Sequence, residues 1–288
     1  MFDVQKPDRD RPVTHPKVRP SGCPIEIVAH RGASLEAPEN TLASVELAWE
    51  LRADAVEIDV QLSRDGHLAV IHDATLERTA GVDSKVCDLD MSELRTVDAG
   101  MWKADKWQGE TIAELPQILA TIPSGRRLFV ELKGGGDPAT HAEIVSALQR
   151  DLTDGNCSPG SVVLISFYPA LLRSAKQSLP DFDAFLVVEQ TQDILEPDGS
   201  GSSIGQWIPS IAEIIDVAQS SNFDGVDLSN TAVLTDDAIN SIHQANLKSC
   251  VWTVNSIGDA CRLARSGIGS LTTDDPRAMI AALSTSAR

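Results

Sequence analysis

Short apolar runs alternate with helical periods along most of the chain. The runs at 25–30 (IEIVAH), 55–61 (AVEIDVQ), 127–132 (RLFVEL), 161–167 (SVVLISF), 183–189 (DAFLVVE), 225–229 (GVDLS), 248–254 (KSCVWTV) and 268–273 (IGSLTT) have the length and β-branched content of buried strands. Between them, apolar residues recur at three- and four-residue spacing. This pattern predicts helices over "NTLASVELAWEL", "HAEIVSALQRDL", "PALLRSAKQSL", "IAEIIDVAQSS", "DDAINSIHQAN" and "SIGDACRLARSG". Asn40 is placed to cap the first of these. "PRAMIAAL" follows the last strand, with Pro276 suited to a first helical turn.

Strands that are apolar on both faces and alternate with helices belong to a parallel sheet covered on both sides. Eight is the number that closes a barrel, and 288 residues is an ordinary length for one. An open doubly wound sheet is the alternative, but the first helix carries no glycine fingerprint of the dinucleotide type. The connection between 61 and 127 is too long for a simple crossover. "RDGH" is a turn signal, so 68–72 is expected to fold back as a hairpin strand and 74–113 to form a small insertion. Residues 194–207 (ILEPDGSGSSIGQW) read as a long polar loop. Prolines at 7, 12, 16, 20 and 24 make 1–24 an extended arm, leaving 25–285 for the barrel.

Composition narrows the setting. No apolar stretch reaches the ~18 residues of a membrane span, and the N-terminus has no apolar signal region. The five cysteines are odd in number, widely spaced and free of CxxC, which points to a reducing, cytoplasmic setting rather than a disulfide framework or a zinc site. A formal net charge of −18 with no basic run excludes a nucleic-acid footprint and charge-driven binding to anionic membrane. An anionic substrate would need a metal or a few placed cations to offset that background.

Side chains two apart on a strand share a face, so Glu57 and Asp59 project together, as do Glu131 and Lys133. Charges on strands that should be apolar throughout need compensation. Three converging carboxylates suit a hard divalent cation, magnesium or calcium. The rival is an internal salt-bridge network through Lys133, Arg31 and Arg64. His30 and His72 end two strands near this cluster and titrate near neutrality, so they are either proton-transfer groups or structural histidines. His67, His141 and His243 are expected on solvated turns or helices, and His15 in the arm. Arg31 and Lys133 are the cations an anion would meet. Trp252 is either a pocket wall or a barrel filler.

"AHRG", "PENT", "VEIDVQLSRDGHLAVIHD", "LERTAG", "FVELK", "LISF", "VWTVN" and "TTDDP" occur in this order over roughly 25–280. In them the chain resembles the glycerophosphodiester phosphodiesterases. The resemblance implies an α/β fold of the TIM-type (β/α)8 barrel with a cap, residues 74–113, inserted after the second strand. It implies one divalent cation (magnesium or calcium, with manganese a third option) on Glu57, Asp59 and Glu131. It also implies His30 and His72 as general acid and base, and Arg31 and Lys133 on the phosphate. Ala113, Asn246, Gly269 and Ser270 depart from the usual pattern, away from these residues. The expected reaction is hydrolysis of a small glycerophosphodiester to glycerol 3-phosphate and an alcohol. Two alternatives stand beside it. One is a phospholipase D-like activity on lysophospholipids or sphingolipids, and the other is a non-catalytic metal- or phosphate-binding barrel.

Overall fold

The computed structural model describes residues 25–134, 137–189, 209–231 and 234–285. The arm, the 194–207 loop, His15 and the last two glycines of "KGGG" lie outside them. The strands are β1 (Glu26–His30), β2 (Ala55–Leu62), β3 (Leu68–Val70), β4 (Arg127–Leu132), β5 (Val162–Ser166), β6 (Asp183–Val188), β7 (Gly225–Ser229), β8 (Lys248–Trp252) and β9 (Ser270–Thr273). Eight run parallel in the order β1-β9-β8-β7-β6-β5-β4-β2, and β1 pairs with β2 to close the ring. That pairing excludes the open sheet. β3 lies antiparallel to the end of β2, as the turn at "RDGH" predicts.

The helices are α1 (Leu42–Glu50), α2 (Glu77–Ala80), α3 (Met91–Leu94), α4 (Leu115–Leu119), α5 (Pro138–Asp154), α6 (Pro169–Ser178), α7 (Ile211–Ser220), α8 (Asp236–Gln244), α9 (Ile257–Arg265) and α10 (Pro276–Thr285); α1 and α5 to α10 follow the sequence periods, and the short α2, α3 and α4 are additional to them. The cap of α1 is Thr41, whose hydroxyl accepts from the Ser44 amide at 3.3 Å. Asn40 is therefore not the cap; it has φ +59° and is held by another partner, described below.

Residues 74–113 contain α2, α3 and two single 3₁₀ turns. A small core of Ile71, Leu76, Val86, Met91, Leu94 and Ile112 holds them together. Arg64 belongs to this region. It pairs with Asp90 and Glu93 at 2.8 Å each and takes no part in the carboxylate cluster, contrary to the salt-bridge alternative.

Outward-facing strand residues pack against the helices in the main core. Inward residues stack in layers along the barrel axis, as the period of two requires. The bottom layer is ionic. Arg127 donates to Glu26 and Lys248 to Asp183 (2.6 Å), while Ser270 donates to Glu26 (2.6 Å). Above it Phe129 and Phe185 meet edge to face, 5.9 Å between centroids. Gly225 makes room for them. A Cβ there would stand 2.7 Å from the Lys248 carbonyl and 2.8 Å from the Phe185 ring.

Gly225→Ala is therefore expected to destabilise the barrel by about 1–3 kcal/mol, the usual cost of overpacking. Urea unfolding checks this: the midpoint should fall with the slope unchanged.

Candidate active site

The register of the barrel assembles the site. Asp59 lies beside Glu131 across β2 and β4, and His30 beside Glu57 across β1 and β2. One oxygen from each of Glu57, Asp59 and Glu131 lies within 4.8 Å of the others, all three residues being buried. Lys133 reaches the same group from just past β4, pairing with Asp59 at 3.0 Å and with Glu131. His72 follows β3, and its carbonyl accepts from Gln61 of β2 at 2.8 Å. The hairpin thus brings a histidine beside a strand it is not part of.

The β1–α1 turn is bent to serve this cluster. Arg31 has φ +54° and Gly32 φ +83°. A Cβ on Gly32 would overlap Ser44 of α1. The left-handed conformation at Arg31, unfavourable for a side-chain-bearing residue, aims its amide at Glu57 (2.9 Å) and its guanidinium at Glu39 (2.8 Å) and Asp59 (3.2 Å). Asn40, also left-handed, donates to the Asp59 carboxylate at 2.8 Å and accepts from the Asp59 amide at 3.1 Å. This two-point clamp is what the "PENT" asparagine does in place of capping.

Electrostatics follow from burial. Desolvation, then the charges of Asp59 and Glu131, push Glu57 well above the ordinary carboxylate range. Burial and Asp59 raise Glu131 to about 7, Lys133 opposing them. Burial works against ionised Asp59 too, but Lys133 and Arg31 outweigh it and hold it below its usual value. The Oε1 of Glu57 is buried without a hydrogen-bond partner, whereas that of Glu131 faces Lys133. Three carboxylates served by two cations, one with an orphaned oxygen, fit a hard divalent cation.

Each histidine is oriented by a carboxylate through Nδ1. His30 meets Asp274 at 2.7 Å and His72 meets Asp73 at 2.6 Å, leaving each Nε2 free of that contact. Burial lowers His72, more than Asp59 raises it. Arg78 of α2 donates to Asp73 (2.6 Å) and twice to Glu39 (2.8 and 2.7 Å), so the insertion ties the partner of His72 to the partner of Arg31. Lys103 donates to the Ser34 carbonyl at 2.7 Å, a second tie from the insertion to the β1–α1 turn.

A cleft of about 240 Å³ opens at this end of the barrel. His30, Arg31, Glu57, His72, Glu131 and Lys133 line one side, and Phe167, Glu189, Asp227, Trp252 and Thr272 are among its other residues. Trp252 is thus a pocket wall, meeting Phe167 edge to face at 5.4 Å. Of the remaining described histidines, His141 on α5 is not solvated as expected but 6% exposed, His67 keeps an exposed side chain while pairing with Glu114, and the half-buried His243 bonds Ser249 at 2.9 Å. Helical and turn positions do not imply exposure when the neighbouring element supplies a polar partner. Sequence reasoning missed Asp274, Asp73, Arg78 and Asp227. The first three sit in the quoted "TTDDP", "VIHD" and "LERTAG", but their partners are distant in the chain or depend on a fold not visible in it.

The mouth of this barrel brings two basic side chains and two carboxylate-held histidines beside a carboxylate cluster that could hold a cation, the kind of arrangement that suits an enzyme of this fold. Comparison with known proteins narrows the class. The glycerophosphoryl diester phosphodiesterase family model matches residues 30–278, and the chain belongs to that family of phosphoric diester hydrolases. A glycerophosphodiester phosphodiesterase of Caldanaerobacter subterraneus is 28% identical over 257 residues, 88% of this chain and 96% of the relative. An Oleispira antarctica phosphodiesterase, solved in complex with the product sn-glycerol-3-phosphate, aligns with TM-score 0.75 and 28% identity over 89% of this chain and 96% of its own. The glycerophosphodiester phosphodiesterase of Agrobacterium tumefaciens shares the fold at 24% identity, with TM-score 0.71 over 89% of this chain and 99% of its own.

The His30–Asp274 pair has a pH signature. Burial opposes ionisation of Asp274, but hydrogen bonds from His30, Asn255 and Ser34 prevail and hold it at about 2. A carboxylate depressed from ~3.9 contributes stability above that value and loses it as pH falls towards the folded-state value. Wild type should therefore lose stability between pH ~4 and ~2 more steeply than Asp274→Asn, as read from denaturant midpoints across that range.

Proposed function

We propose that this chain hydrolyses glycerophosphodiesters to glycerol 3-phosphate and an alcohol, with a divalent cation and the two histidines. The observation that carries this is the buried Glu57–Asp59–Glu131 cluster, with the unpartnered Oε1 of Glu57, opening on a cleft that also holds His30 and His72. A cation held by those three carboxylates would draw charge from the phosphoryl oxygens and stabilise the transition state. Arg31 and Lys133 bind and orient the remaining phosphate oxygens. One histidine takes the proton of the attacking hydroxyl, from water or a neighbouring glycerol hydroxyl, as the new P–O bond forms. The other gives a proton to the departing alkoxide as the old P–O bond breaks. Asp274 and Asp73 hold the imidazoles in the tautomer that presents Nε2. Residues 74–113 act as a cap on this mouth and position it through Arg78.

One observation favours larger substrates as a second reading. The large apolar side chains exposed among the described residues are Leu35, Val82, Met101, Trp102, Tyr168 and Ile257. All belong to the insertion or to segments that follow the C-terminal end of a barrel strand. Such a rim would suit the acyl chain of a lysophospholipid. No helix among the described residues is long and apolar enough to cross a membrane.

Alcohol release from glycerophosphocholine, and then from a lysolipid, tests and separates the two. Chelator should abolish activity, and magnesium, calcium or manganese should restore it. Glu57→Gln, Asp59→Asn and Glu131→Gln should each reduce bound metal by elemental analysis. Full activity of metal-free protein would refute the cation's role.

His30→Ala and His72→Ala should each lower kcat by about 10²–10⁴-fold, the usual contribution of general acid–base catalysis, with metal content retained. A nitrophenyl phosphodiester, whose leaving group needs little acid assistance, should rescue the variant that lacks the acid and not the other. Wild-type turnover in either variant would end the acid–base scheme.

A further inference from the structure

The buried inward carboxyls on the described strands each have a basic residue beside them, with one exception. Glu26 has Arg127, and Glu57, Asp59 and Glu131 have Arg31 and Lys133. Asp227 of β7 faces the same interior and is 3% exposed, yet no basic group pairs with it and its Oδ1 is buried without a hydrogen-bond partner. Its strand neighbours are Val187 on β6 and Cys250 on β8. It nevertheless lines the cleft, with Thr272, Trp252 and Phe167. Its own carbonyl accepts from the Trp252 indole at 3.3 Å, which seats that wall directly over it.

A buried carboxyl oxygen left unpartnered costs free energy unless something fills its valence. On geometry, we propose that Asp227 is a substrate-binding residue that receives a hydroxyl of a polyol portion of the diester, so that the inner end of the cleft selects substrates carrying a hydroxylated carbon chain. This rests on the phosphodiesterase reading and names part of its specificity. The chemistry of the carboxyl agrees. Burial raises it to about 7, and its hydrogen bond with Cys250 does not reverse that. A neutral carboxyl both donates and accepts, which matches a hydroxyl group; a quaternary ammonium offers no donor and would demand the ionised form. The walls around it, Phe167 and Trp252, are perpendicular aromatic rings that suit the carbon backbone of such a chain.

Calorimetric titration of the full chain loaded with magnesium tests this by binding alone, independent of turnover. The ligands are sn-glycerol 3-phosphate and propyl phosphate, which lacks both hydroxyls. Wild type should prefer the former, and Asp227→Leu should reduce that preference about tenfold, the effect of losing a hydrogen bond or two to a buried group. Asp227→Asn, which still donates and accepts, should keep the preference within about threefold. Asp227→Ala gives the same readout should the leucine variant fail to fold. An unchanged preference in folded Asp227→Leu or Asp227→Ala overturns the proposal, as does an equal loss against both ligands, which marks a structural role. Binding of tetramethylammonium, which has no hydroxyl, by wild type that is lost in these variants would also overturn it, in favour of an ammonium site. Wild type that binds neither phosphate overturns the phosphodiesterase reading together with this one, whereas binding with an unaffected ratio overturns only this one.

Discussion

The pairing of β1 with β2 is the contact on which everything else depends. It turns an eight-stranded ribbon into a closed barrel and, in the same register, sets His30 next to Glu57. One strand further on, the register of β2 with β4 sets Asp59 next to Glu131. A ladder of backbone hydrogen bonds, rather than any attraction among these side chains, forces like charges together. Their mutual repulsion is then met by Arg31, Lys133 and a site suited to a cation.

Charge inside the barrel is organised by depth. At the bottom, Arg127, Glu26, Asp183 and Lys248 neutralise one another and contribute to closure. The aromatic layer of Phe129 and Phe185 separates them from the mouth. At the mouth the balance is acidic and incomplete, which is the condition for binding something positive and, through it, a phosphate. Neutralised charge at one end and unsatisfied charge at the other is how one interior supports both folding and chemistry.

The insertion is coupled to the chemistry by ion pairs. Arg78 is half exposed yet touches the partners of both Arg31 and His72. Glu39 is where the two networks meet, because it accepts from Arg31 and Arg78 alike. Burial of Glu39 opposes its ionisation, and the two guanidiniums more than offset that. The left-handed backbone at Arg31 is tolerated because its amide and guanidinium are held by Glu57, Glu39 and Asp59.

The sequence by itself determined the strands, the main helices, the hairpin and which charged residues and histidines end strands at the barrel mouth, because each is written in a local period or a short motif. Period two alone places Glu57 with Asp59 and Glu131 with Lys133, whatever the fold. Tertiary structure decided the rest. It made Thr41 rather than Asn40 the cap, because the closed barrel brings Asp59 within reach of the asparagine amide. It buried His141 and gave His67 and His243 partners, and it assigned Asp274 to His30 across 244 positions. It also left Asp227 buried with no basic group beside it and its Oδ1 without a hydrogen-bond partner. None of these can be read from spacing, because each is a relation between segments that only the closure of the sheet brings together.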